Sequence, residues 1–535
     1  MTLRMSEIAA PREAPRPIAS ASIARFLGAI QQNPRQSFYL FCAIHLVLWT
    51  VVPTIFCRDL PIDPLEGLAY GQEFQLGYWK HPPLPWWILG AVHRIAGPHL
   101  WAYFLLGQAT AIACVWMIWR LGRELLTPLE AFVAVVLLDG YLELNFNSKE
   151  FNHGLIELPL FGAIGWFLYR AFMHGRRRDW ILVGLFFALA FYGKYSAVLL
   201  LVPLLLFAAL EPRARRCWQT PGPYLAMLAF AVLMAPHLLW LTANEFRPIW
   251  FFEHASEPVP GVIGLLGAVA LFIVRSLTLI AGTFAMFIAL AGSGDRRLMP
   301  TDPAERFSRR YIATLTLGPL CLILVANLVS GRSFPMHWSN EFWCFTSLCL
   351  MLFWRPVLDQ AALLRLGIGW ATVTAVLIGA AAATDVFWVG QSGFGRTQFP
   401  GAQFAAAVAD IWRRETGQPL GYLAGDYWLV GNVIMYSHDR PIFYIRPTES
   451  FTPWIDEADV VSRGAMLLWS SKVGENKIPE APMPDAFRAK FPTAKIGDPL
   501  TIREHTRSGE RIWRIGWALL LPKNGAEPSN DDRRR

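Results

Sequence analysis

Long apolar runs alternate with short polar segments along most of this chain, and the pattern predicts a helical membrane protein. A helix that crosses a bilayer needs about 20 mostly apolar residues, with about 17 to 25 tolerated. About eleven segments fit or approach this description, and we expect them to form a membrane domain over 38–388. They are 38–56, 99–119, 128–142, 154–171, 180–193, 196–210, 223–241, 260–291, 311–330, 340–354 and 364–386.

Arginines are concentrated in every second loop, and this sets the expected orientation. Cytoplasmic loops of membrane proteins are enriched in Lys and Arg, so 57–98, 143–153, 242–259, 331–339 and everything after about 387 should lie on the outer side. Residues 1–37 precede the first apolar run, which begins too late for a cleavable signal peptide, and they are predicted to be a cytoplasmic arm. The arginines are Arg120, Arg123, Arg170, Arg176 to Arg178, Arg213, Arg215, Arg216, Arg296, Arg297, Arg306, Arg309, Arg310, Arg355 and Arg365.

Composition supports a membrane protein and excludes two other classes. The chain is 54% hydrophobic and only 16% charged, whereas a soluble domain has about 25% charged residues. The formal charge of +8 arises mostly from the loop arginines, so nucleic-acid binding is not indicated. Seven cysteines without a CxxC pair give no disulfide or zinc framework.

Two short features allow alternatives. Residues 84–98 are apolar and aromatic but short, which favours an interfacial helix on the outer surface over a short twelfth span. Lys194, in the turn between two predicted spans, could line a cavity or extend to the interface by snorkelling. We favour snorkelling.

The composition of the chain changes after about residue 389, where Gly, Pro and charged residues become more frequent and the apolar runs become shorter. A helix is expected at about 401–415, and strand-like runs lie at 419–424, 441–446, 464–469 and 511–521. We predict a small α/β domain over 389–522 on the outer side and a disordered tail over 523–535. The part from Gly425 to Arg446 could bind an acceptor, cap a cavity or serve packing.

The stretch from Asp63 to Trp87 is the densest in chemistry. Asp63 is a candidate general base, and Glu66 shares its face if the segment is helical; both could equally be solvated loop acids. Lys80 and His81, followed by two prolines, offer positive charge suited to a phosphate. The tryptophans of this stretch fit an aromatic belt at the membrane surface or, less well, a platform for a sugar or isoprenoid; they are Trp79, Trp86 and Trp87.

This stretch resembles a known family. The pattern Asp63-x-x-Glu66, followed by Tyr70-Gly-Gln-Glu-Phe-Gln-Leu-Gly-Tyr78-Trp79-Lys80-His81-Pro-Pro-Leu-x-x-Trp87, is similar to the first periplasmic loop of bacterial glycosyltransferase family 39 and ArnT-like membrane glycosyltransferases of the GT-C class. These include aminoarabinose and galacturonic acid transferases of lipid A and relatives of protein O-mannosyltransferases. Shorter resemblances occur at Glu150–Leu160, Pro236–Trp240 and Phe334–Trp338.

The resemblance implies transfer of a sugar from a polyprenyl monophosphate donor, such as undecaprenyl phosphate, to an acceptor at the outer leaflet, lipid A or another envelope glycoconjugate. It implies inversion at the anomeric carbon, with Asp63 as the catalytic aspartate. Many relatives carry a second acid directly after this aspartate, where the chain has Pro64; either Glu66 takes that role or one acid suffices.

The remaining site residues are chosen for their chemistry and their expected place on the outer side. Lys80, His81, Lys194 and Arg332 are expected to bind the donor phosphate. No nucleotide or other cofactor is required. A divalent ion is possible, with His81, His337 and Glu150 as ligands, but no tight ligand spacing demands one and structural histidines are favoured. The second outer loop is expected to line the sugar pocket, with a solvated loop as the alternative; its polar residues are Glu143, Asn145, Asn147, Lys149, Glu150, Asn152 and His153. The predicted pocket for sugar and acceptor consists of Tyr70, Tyr78, Trp79, Glu150, Asn152, His153 and His337.

Two other functions compete with the glycosyltransferase. A flippase or transporter for a lipid-linked sugar should carry ionisable residues near the bilayer midplane, whereas here they are concentrated in the outer loops, Asp139 excepted. A structural subunit of an envelope complex leaves the Asp63–Trp87 stretch unexplained. The sequence predicts an inner-membrane enzyme, but it names neither the sugar nor the acceptor.

Overall fold

The computed structural model describes residues 21–292, 302–338, 340–386, 394–444, 451–470, 482–506 and 509–523. Helices dominate up to residue 386. They are α1 (Ala21–Gln32), α2 (Pro34–Phe56), α3 (Ile62–Gly71), α4 (Leu84–Ala96), α5 (Leu100–Leu125), α6 (Pro128–Leu138), α7 (His153–His174), α8 (Arg177–Gly193), α9 (Val198–Leu210), α10 (Pro212–Arg215), α11 (Pro221–Ala243), α12 (Arg247–Ala255), α13 (Gly261–Leu279), α14 (Ala281–Ala291), α15 (Pro303–Ser330), α16 (Thr346–Trp354) and α17 (Gln360–Val386).

A helix lies at each predicted span, and the prediction of a polytopic helical membrane protein is confirmed. Within the described residues, seven helices are long and apolar enough to cross a membrane: α2, α5, α7, α11, α13, α15 and α17. An eighth is added if 195–210 and 212–219, which are bent by 85° to each other, form one span. The count of eleven is therefore not established by length and composition.

Two of the predicted spans differ from the observed helices. The apolar run 260–291 is broken at Ile280 into α13 and α14. Gly282, in the first turn of α14, packs against the backbone of Gly140, where a Cβ would lie 2.6 Å from the carbonyl oxygen. The run 128–142 forms only the 11-residue α6, which is buried from Glu130 to Leu138. At about 1.5 Å per residue, α6 is too short to cross a bilayer.

The helix α4 packs on α3 through two glycines. A Cβ on Gly90 would lie 2.2 Å from the carbonyl oxygen of Gly71, so the backbones can approach this closely only because neither position has a side chain. With 13 residues, α4 spans about 20 Å, which makes a twelfth membrane crossing untenable. The expected placement along the membrane surface stays a prediction.

The described residues at the two ends extend the picture. Residues 21–32 of the predicted N-terminal arm form α1, and the first long helix begins at Pro34, four residues before the predicted span. Residues 1–20 and the expected disordered tail beyond Lys523 lie outside the described residues.

From residue 394 onward, the described residues form a mixed sheet and four helices. The strands are β3 (Tyr422–Gly425), β4 (Ile442–Tyr444), β5 (Ala465–Ser470), β6 (Lys495–Ile496), β7 (Leu500–Thr506) and β8 (Gly509–Leu520), after the two-residue β1 (Glu257–Pro258) and β2 (Arg332–Ser333), which pair with each other. The sheet order is β4-β3-β5-β8-β6, with β7 also on β8. β3 is parallel to β4 and β5, and β8 is antiparallel to its neighbours, with Ala465 opposite Leu520. The helices are α18 (Gly401–Thr416), α19 (Tyr427–Tyr436), α20 (Glu457–Arg463) and α21 (Asp485–Lys490).

This C-terminal unit is fastened to the loop between α2 and α4. α19 lies against α3, and a Cβ on Gly431 would lie 2.3 Å from the carbonyl oxygen of Leu65. The hydroxyl of Tyr436 donates to the buried carboxylate of Asp59, 3.0 Å away. Through these contacts the segment after Gly425 packs against the first outer loop, and packing is one of the three roles predicted for that segment. The same contacts help to position α3.

Candidate functional site

The helix α3 presents both acids of the first outer loop. It begins at Ile62 after Pro61, with Asp63 in its first turn and Glu66 one turn later. A carboxylate in the first turn interacts favourably with the unpaired N–H groups of the helix start. Asp63 is half-buried and Glu66 is buried, so neither is a fully solvated loop acid.

Asp63 lies beside the start of α7. The side-chain amide of Asn152 donates to Asp63 Oδ2 at 2.9 Å, and the backbone N–H of Asp63 donates to Glu150 Oε1 at 3.1 Å. Asn152 also caps α7, since its Oδ1 accepts from the N–H of Leu155 at 3.0 Å. Two residues of the second outer loop therefore hold the aspartate, and within the described part of the chain Asp63 Oδ1 accepts no hydrogen bond.

The Glu150 carboxyl has a raised pKa. Desolvation, followed by the negative charge of Asp63, raises its pKa to about 8. Near neutral pH Glu150 therefore carries its proton, which makes it a hydrogen-bond donor as well as an acceptor.

Glu66 is paired with a lysine rather than with Asp63. The Lys80 ammonium lies 2.5 Å from Glu66 Oε1, and both side chains are shielded from solvent. Burial raises the pKa of Glu66, with the Lys80 charge acting in the opposite direction. The Lys80 nitrogen also lies 5.9 Å from the centre of the Trp79 ring and 5.3 Å from that of Tyr427. The lysine expected to bind a phosphate is thus already balanced by a carboxylate.

Two histidines lie next to this pair. The rings of His81 and His153 are 4.1 Å apart, and His153 Nε2 is 3.3 Å from the carbonyl oxygen of Pro82. Desolvation lowers the pKa of His81 well below its ordinary value, and the neighbouring His153 ring and the positive charges of Lys80 and Lys194 act in the same direction. His81 is therefore a neutral imidazole, which could offer a phosphate a hydrogen bond but not a charge.

Lys194 is buried in a second acid–base pair. Its ammonium donates to Glu341 Oε1 at 2.6 Å and to the backbone carbonyl of His337 at 2.7 Å. Burial opposes the charge, but the carboxylates of Glu341 and Glu157 outweigh burial and raise the pKa of Lys194. The expectation that Lys194 snorkels was wrong, because the side chain is buried and its ammonium is paired with Glu341 instead of extending to the membrane surface.

The other polar residues of the second loop serve different partners. The Lys149 ammonium lies 2.6 Å from Asp385 Oδ1 near the end of α17. Asn145 donates to the carbonyl of Asp139 at 2.6 Å, and Asn147 donates to Glu143 at 3.0 Å. Of the seven residues predicted to line a sugar pocket, the structure thus brings only Glu150 and Asn152 into contact with Asp63.

Three aromatic residues predicted at the pocket support the loop. The Tyr70 ring stacks on Trp86 with centroids 4.2 Å apart, and its hydroxyl accepts from Trp79 Nε1 at 2.6 Å. Tyr78 is fully buried and its hydroxyl accepts from the N–H of Gln75. Trp79 stacks on Phe451, a residue of the C-terminal unit. Trp86 is buried too, so the belt interpretation is wrong for it; Trp87 donates to the carbonyl of Gln75.

Arg332 and His337 lie in the loop after α15. Arg332 is in β2, and its guanidinium donates to the hydroxyl and the carbonyl of Ser256, which ties β2 to the segment before β1. His337 belongs to a short 3-10 turn, Met336–Trp338, whose carbonyl at position 337 is held by Lys194. Their expected roles at phosphate and sugar stay predictions.

The sequence allows a metal site, but the described part of the structure does not assemble one. In the described ranges, no three side chains of His, Cys, Asp or Glu lie close enough together to hold a metal ion. The suggested ligands His81, His337 and Glu150 therefore do not form a ligand set in this arrangement.

Three residues at the site were not anticipated. Glu341 and Asp385 neutralise Lys194 and Lys149, and Tyr427 faces Lys80 across the contact between α19 and α3. The sequence could have pointed to Asp385, because an acid near the end of an apolar run is energetically costly without a partner. No sequence feature predicts the position of Tyr427, since it depends on how the C-terminal unit packs against α3.

Comparison with known proteins finds similarity to a family model, to a curated relative and to solved structures. The family model of dolichyl-phosphate-mannose-protein mannosyltransferases matches residues 80–240. The lipid A galacturonosyltransferase RgtD of Rhizobium johnstonii is 28% identical over 214 residues, which are 39% of this chain and 44% of that protein. The crystal structure of ArnT from Cupriavidus metallidurans bound to undecaprenyl phosphate superposes with a TM-score of 0.50 at 16% identity, covering 91% of this chain and 99% of ArnT.

The resemblance to the ArnT-like GT-C glycosyltransferases is confirmed. At 16% identity, the similarity to ArnT shows the fold alone, and it extends over nearly the whole of both chains. The chain covers less than half the length of the curated relative that it matches, so the resemblance in sequence is to a part of that protein.

Proposed function

We propose that this protein is an inverting glycosyltransferase that moves a sugar from a polyprenyl monophosphate to an acceptor at the outer surface of the inner membrane. The observation that carries the proposal is the setting of Asp63. A half-buried carboxylate is held by Asn152 through one oxygen. Lys80 pairs with Glu66, which lies one turn after Asp63 on α3, and Lys194 pairs with Glu341.

The chemistry follows from these groups. Asp63 accepts the proton of the acceptor hydroxyl, whose oxygen forms a bond to the anomeric carbon of the sugar. The bond between that carbon and the phosphate oxygen breaks on the opposite face, and its electron pair leaves with the polyprenyl phosphate. Lys80 and Lys194 supply positive charge for the departing phosphate.

The substrate classes are supported by the relatives. The solved ArnT contains undecaprenyl phosphate, and RgtD is described as acting on lipid A. We therefore propose undecaprenyl phosphate as the lipid of the donor and lipid A or another envelope glycoconjugate as the acceptor. Binding of the phosphate by His81 and Arg332, and of the sugar by Glu150, Asn152, His153 and His337, belongs to the same proposal.

The proposed orientation places the loop with Asp63 in the periplasm and the arginine-rich loops in the cytoplasm. Single cysteines in place of Glu245 and Arg177, in a background without the native cysteines, test it. A membrane-impermeant maleimide applied to intact spheroplasts should label position 245 and spare position 177. The reverse result would place Asp63 on the wrong side for an outer-leaflet acceptor.

The activity is tested by mass spectrometry of lipid A, other glycolipids and glycoproteins from cells with and without the protein. We expect a glycoside that is formed by the intact protein and is lost with Asp63→Asn. The matched control is Asp410→Asn, an exposed aspartate on α18, which should behave like the unaltered protein. If Asp63→Asn still forms the glycoside, the proposal fails.

A flippase for the same lipid-linked sugar is separated by a vesicle assay. Purified protein in vesicles with fluorescent polyprenyl-phosphate sugar should form a new glycoside in the presence of acceptor lipid. Movement of the label across the bilayer without a new glycoside would identify a transporter instead.

A further inference from the structure

A groove lies between α9 and α15, away from the residues around Asp63. It has a volume of about 740 Å³, within the range of about 300 to 1,000 Å³ of small-molecule sites. Its walls are almost entirely apolar, from Val202, Leu206 and Leu210 on α9 to Leu322 and Val325 on α15. α9 begins just after Lys194 and runs away from it, so the Leu210 end of the groove lies toward the opposite membrane surface.

Among the described residues that line the groove, the charged ones, Glu211 and Arg310, lie at one end. There the Arg310 guanidinium donates to Glu211 Oε2 at 3.0 Å, and 64% of the arginine side chain remains exposed. The chain bends by 85° immediately after Leu210 and continues into the exposed arginines Arg213, Arg215 and Arg216. The charged end therefore carries more positive than negative charge.

The groove has the length of a lipid chain. From Arg310 to Val325 the helix rises about 22 Å at about 1.5 Å per residue, compared with about 15 Å for half of a bilayer's hydrocarbon core. α9 and α15 approach each other at Gly318, where a Cβ would lie 2.7 Å from the Pro203 ring. This close approach makes a defined recess in the helix pair rather than a flat surface facing lipid.

We propose that the groove binds an anionic diacyl phospholipid from the leaflet on the arginine-rich side. The acyl chains lie along α9 and α15, and the headgroup phosphate contacts Arg310 in competition with Glu211. An arginine near a membrane surface contributes about 1 kcal/mol to attraction for anionic lipid, so each charge at the mouth should change affinity about fivefold. This site is separate from the donor site and serves a resident lipid.

Native mass spectrometry of the purified protein in detergent tests the proposal with phosphatidylglycerol and phosphatidylethanolamine as probes. The unaltered protein should bind phosphatidylglycerol more tightly than phosphatidylethanolamine. Arg310→Gln should weaken the binding of phosphatidylglycerol about fivefold, and Glu211→Gln should strengthen it relative to the unaltered protein. The control Arg177→Gln, an exposed arginine of α8 outside the groove, should leave binding unchanged. Opposite effects of the two variants are essential, because a merely structural ion pair would respond to both in the same direction.

The exposed thiol of Cys321 provides a local readout, since it lines the groove. Bound phosphatidylglycerol should slow its reaction with N-ethylmaleimide, followed by peptide mass spectrometry. The proposal is overturned if both lipids bind equally, if Arg310→Gln and Glu211→Gln weaken binding alike, if Cys321 is not protected, or if undecaprenyl phosphate protects it while phosphatidylglycerol does not.

Discussion

Asn152 performs two tasks with one side chain. Its oxygen caps α7 by accepting from Leu155, and its amide nitrogen donates to Asp63. The helix start thereby positions the candidate base, and the two tasks can be separated by choice of substitution.

Asn152→Asp should keep the cap and lose the donor. Aspartate is about as good an N-cap as asparagine, but it places a second carboxylate against Asp63. We expect sugar transfer to fall at least tenfold with little change in thermal stability. Asn152→Ala should lose both, with about 1 kcal/mol less stability. Equal activity of Asn152→Asp and the unaltered protein would show that the bond to Asp63 is dispensable.

Glu150 should make stability depend on pH. In the folded protein it keeps its proton up to about pH 8, whereas its ordinary pKa is 4.5. The folded state therefore binds more protons than the unfolded state over this interval, and the free energy of unfolding falls as pH rises from about 4.5 to about 8. Glu150→Gln, which cannot ionise, should show a flatter dependence in thermal unfolding between pH 5 and 8.5.

The control is Glu415→Gln at a surface pair with Lys495, which should leave the pH dependence as it is. Other buried acids contribute to the same trend, so only the difference between Glu150→Gln and the unaltered protein is diagnostic. A variant with the same slope would contradict the setting of Glu150 described above.

Single residues could be predicted where the relationship was local. Asp63 and Glu66 lie one turn apart on a helix, as their spacing indicates. The acid that contacts Asp63 is Glu150, 87 positions away, and the cation that takes Glu66 is Lys80. These pairings depend on how α3 packs against the loops that carry Lys80 and Glu150, and the hydrophobic periodicity of the sequence holds no information about that packing.

At the scale of elements, the contact between α3 and α19 decides how firmly the acids are held. A Cβ on Gly431 would meet the Leu65 carbonyl oxygen at 2.3 Å, so Gly431→Ala must push the helices apart. Overpacking costs about 1 to 3 kcal/mol, and we expect a lower unfolding temperature together with reduced transfer.

The matched control is Gly379→Ala on α17, where a Cβ has open space and alanine favours the helix. It should be neutral or slightly stabilising. If both variants behave alike, the docking of α19 does not constrain α3.

Elements were predictable as far as hydropathy reports them. Apolar runs marked the helices of the membrane part, and the four strand-like runs coincide with β3, β4, β5 and β8. Hydropathy does not report the break at Ile280, because the residues on both sides of it are equally apolar. The two-residue β6 and β1 were too short to leave a pattern.

For the molecule as a whole, the Lys149–Asp385 pair links the second outer loop to the last long helix. Removing one partner of a shielded pair costs about 3 to 5 kcal/mol, whereas replacing both with apolar residues can be nearly neutral. Lys149→Met and Asp385→Leu should each destabilise the protein strongly, and the double variant should recover much of the loss in a thermal-unfolding cycle. Simple additivity of the two losses would show that the pair is not coupled.

The pairing of Lys80 with Glu66 makes capture of a phosphate an exchange of ions. When the donor phosphate binds the Lys80 ammonium, the buried Glu66 carboxylate loses its counter-charge. Glu66 then takes up a proton from solution. Donor affinity should therefore rise as the medium becomes more acidic, and calorimetry in buffers of different ionisation enthalpy should reveal the proton uptake. Glu66→Gln should abolish that uptake.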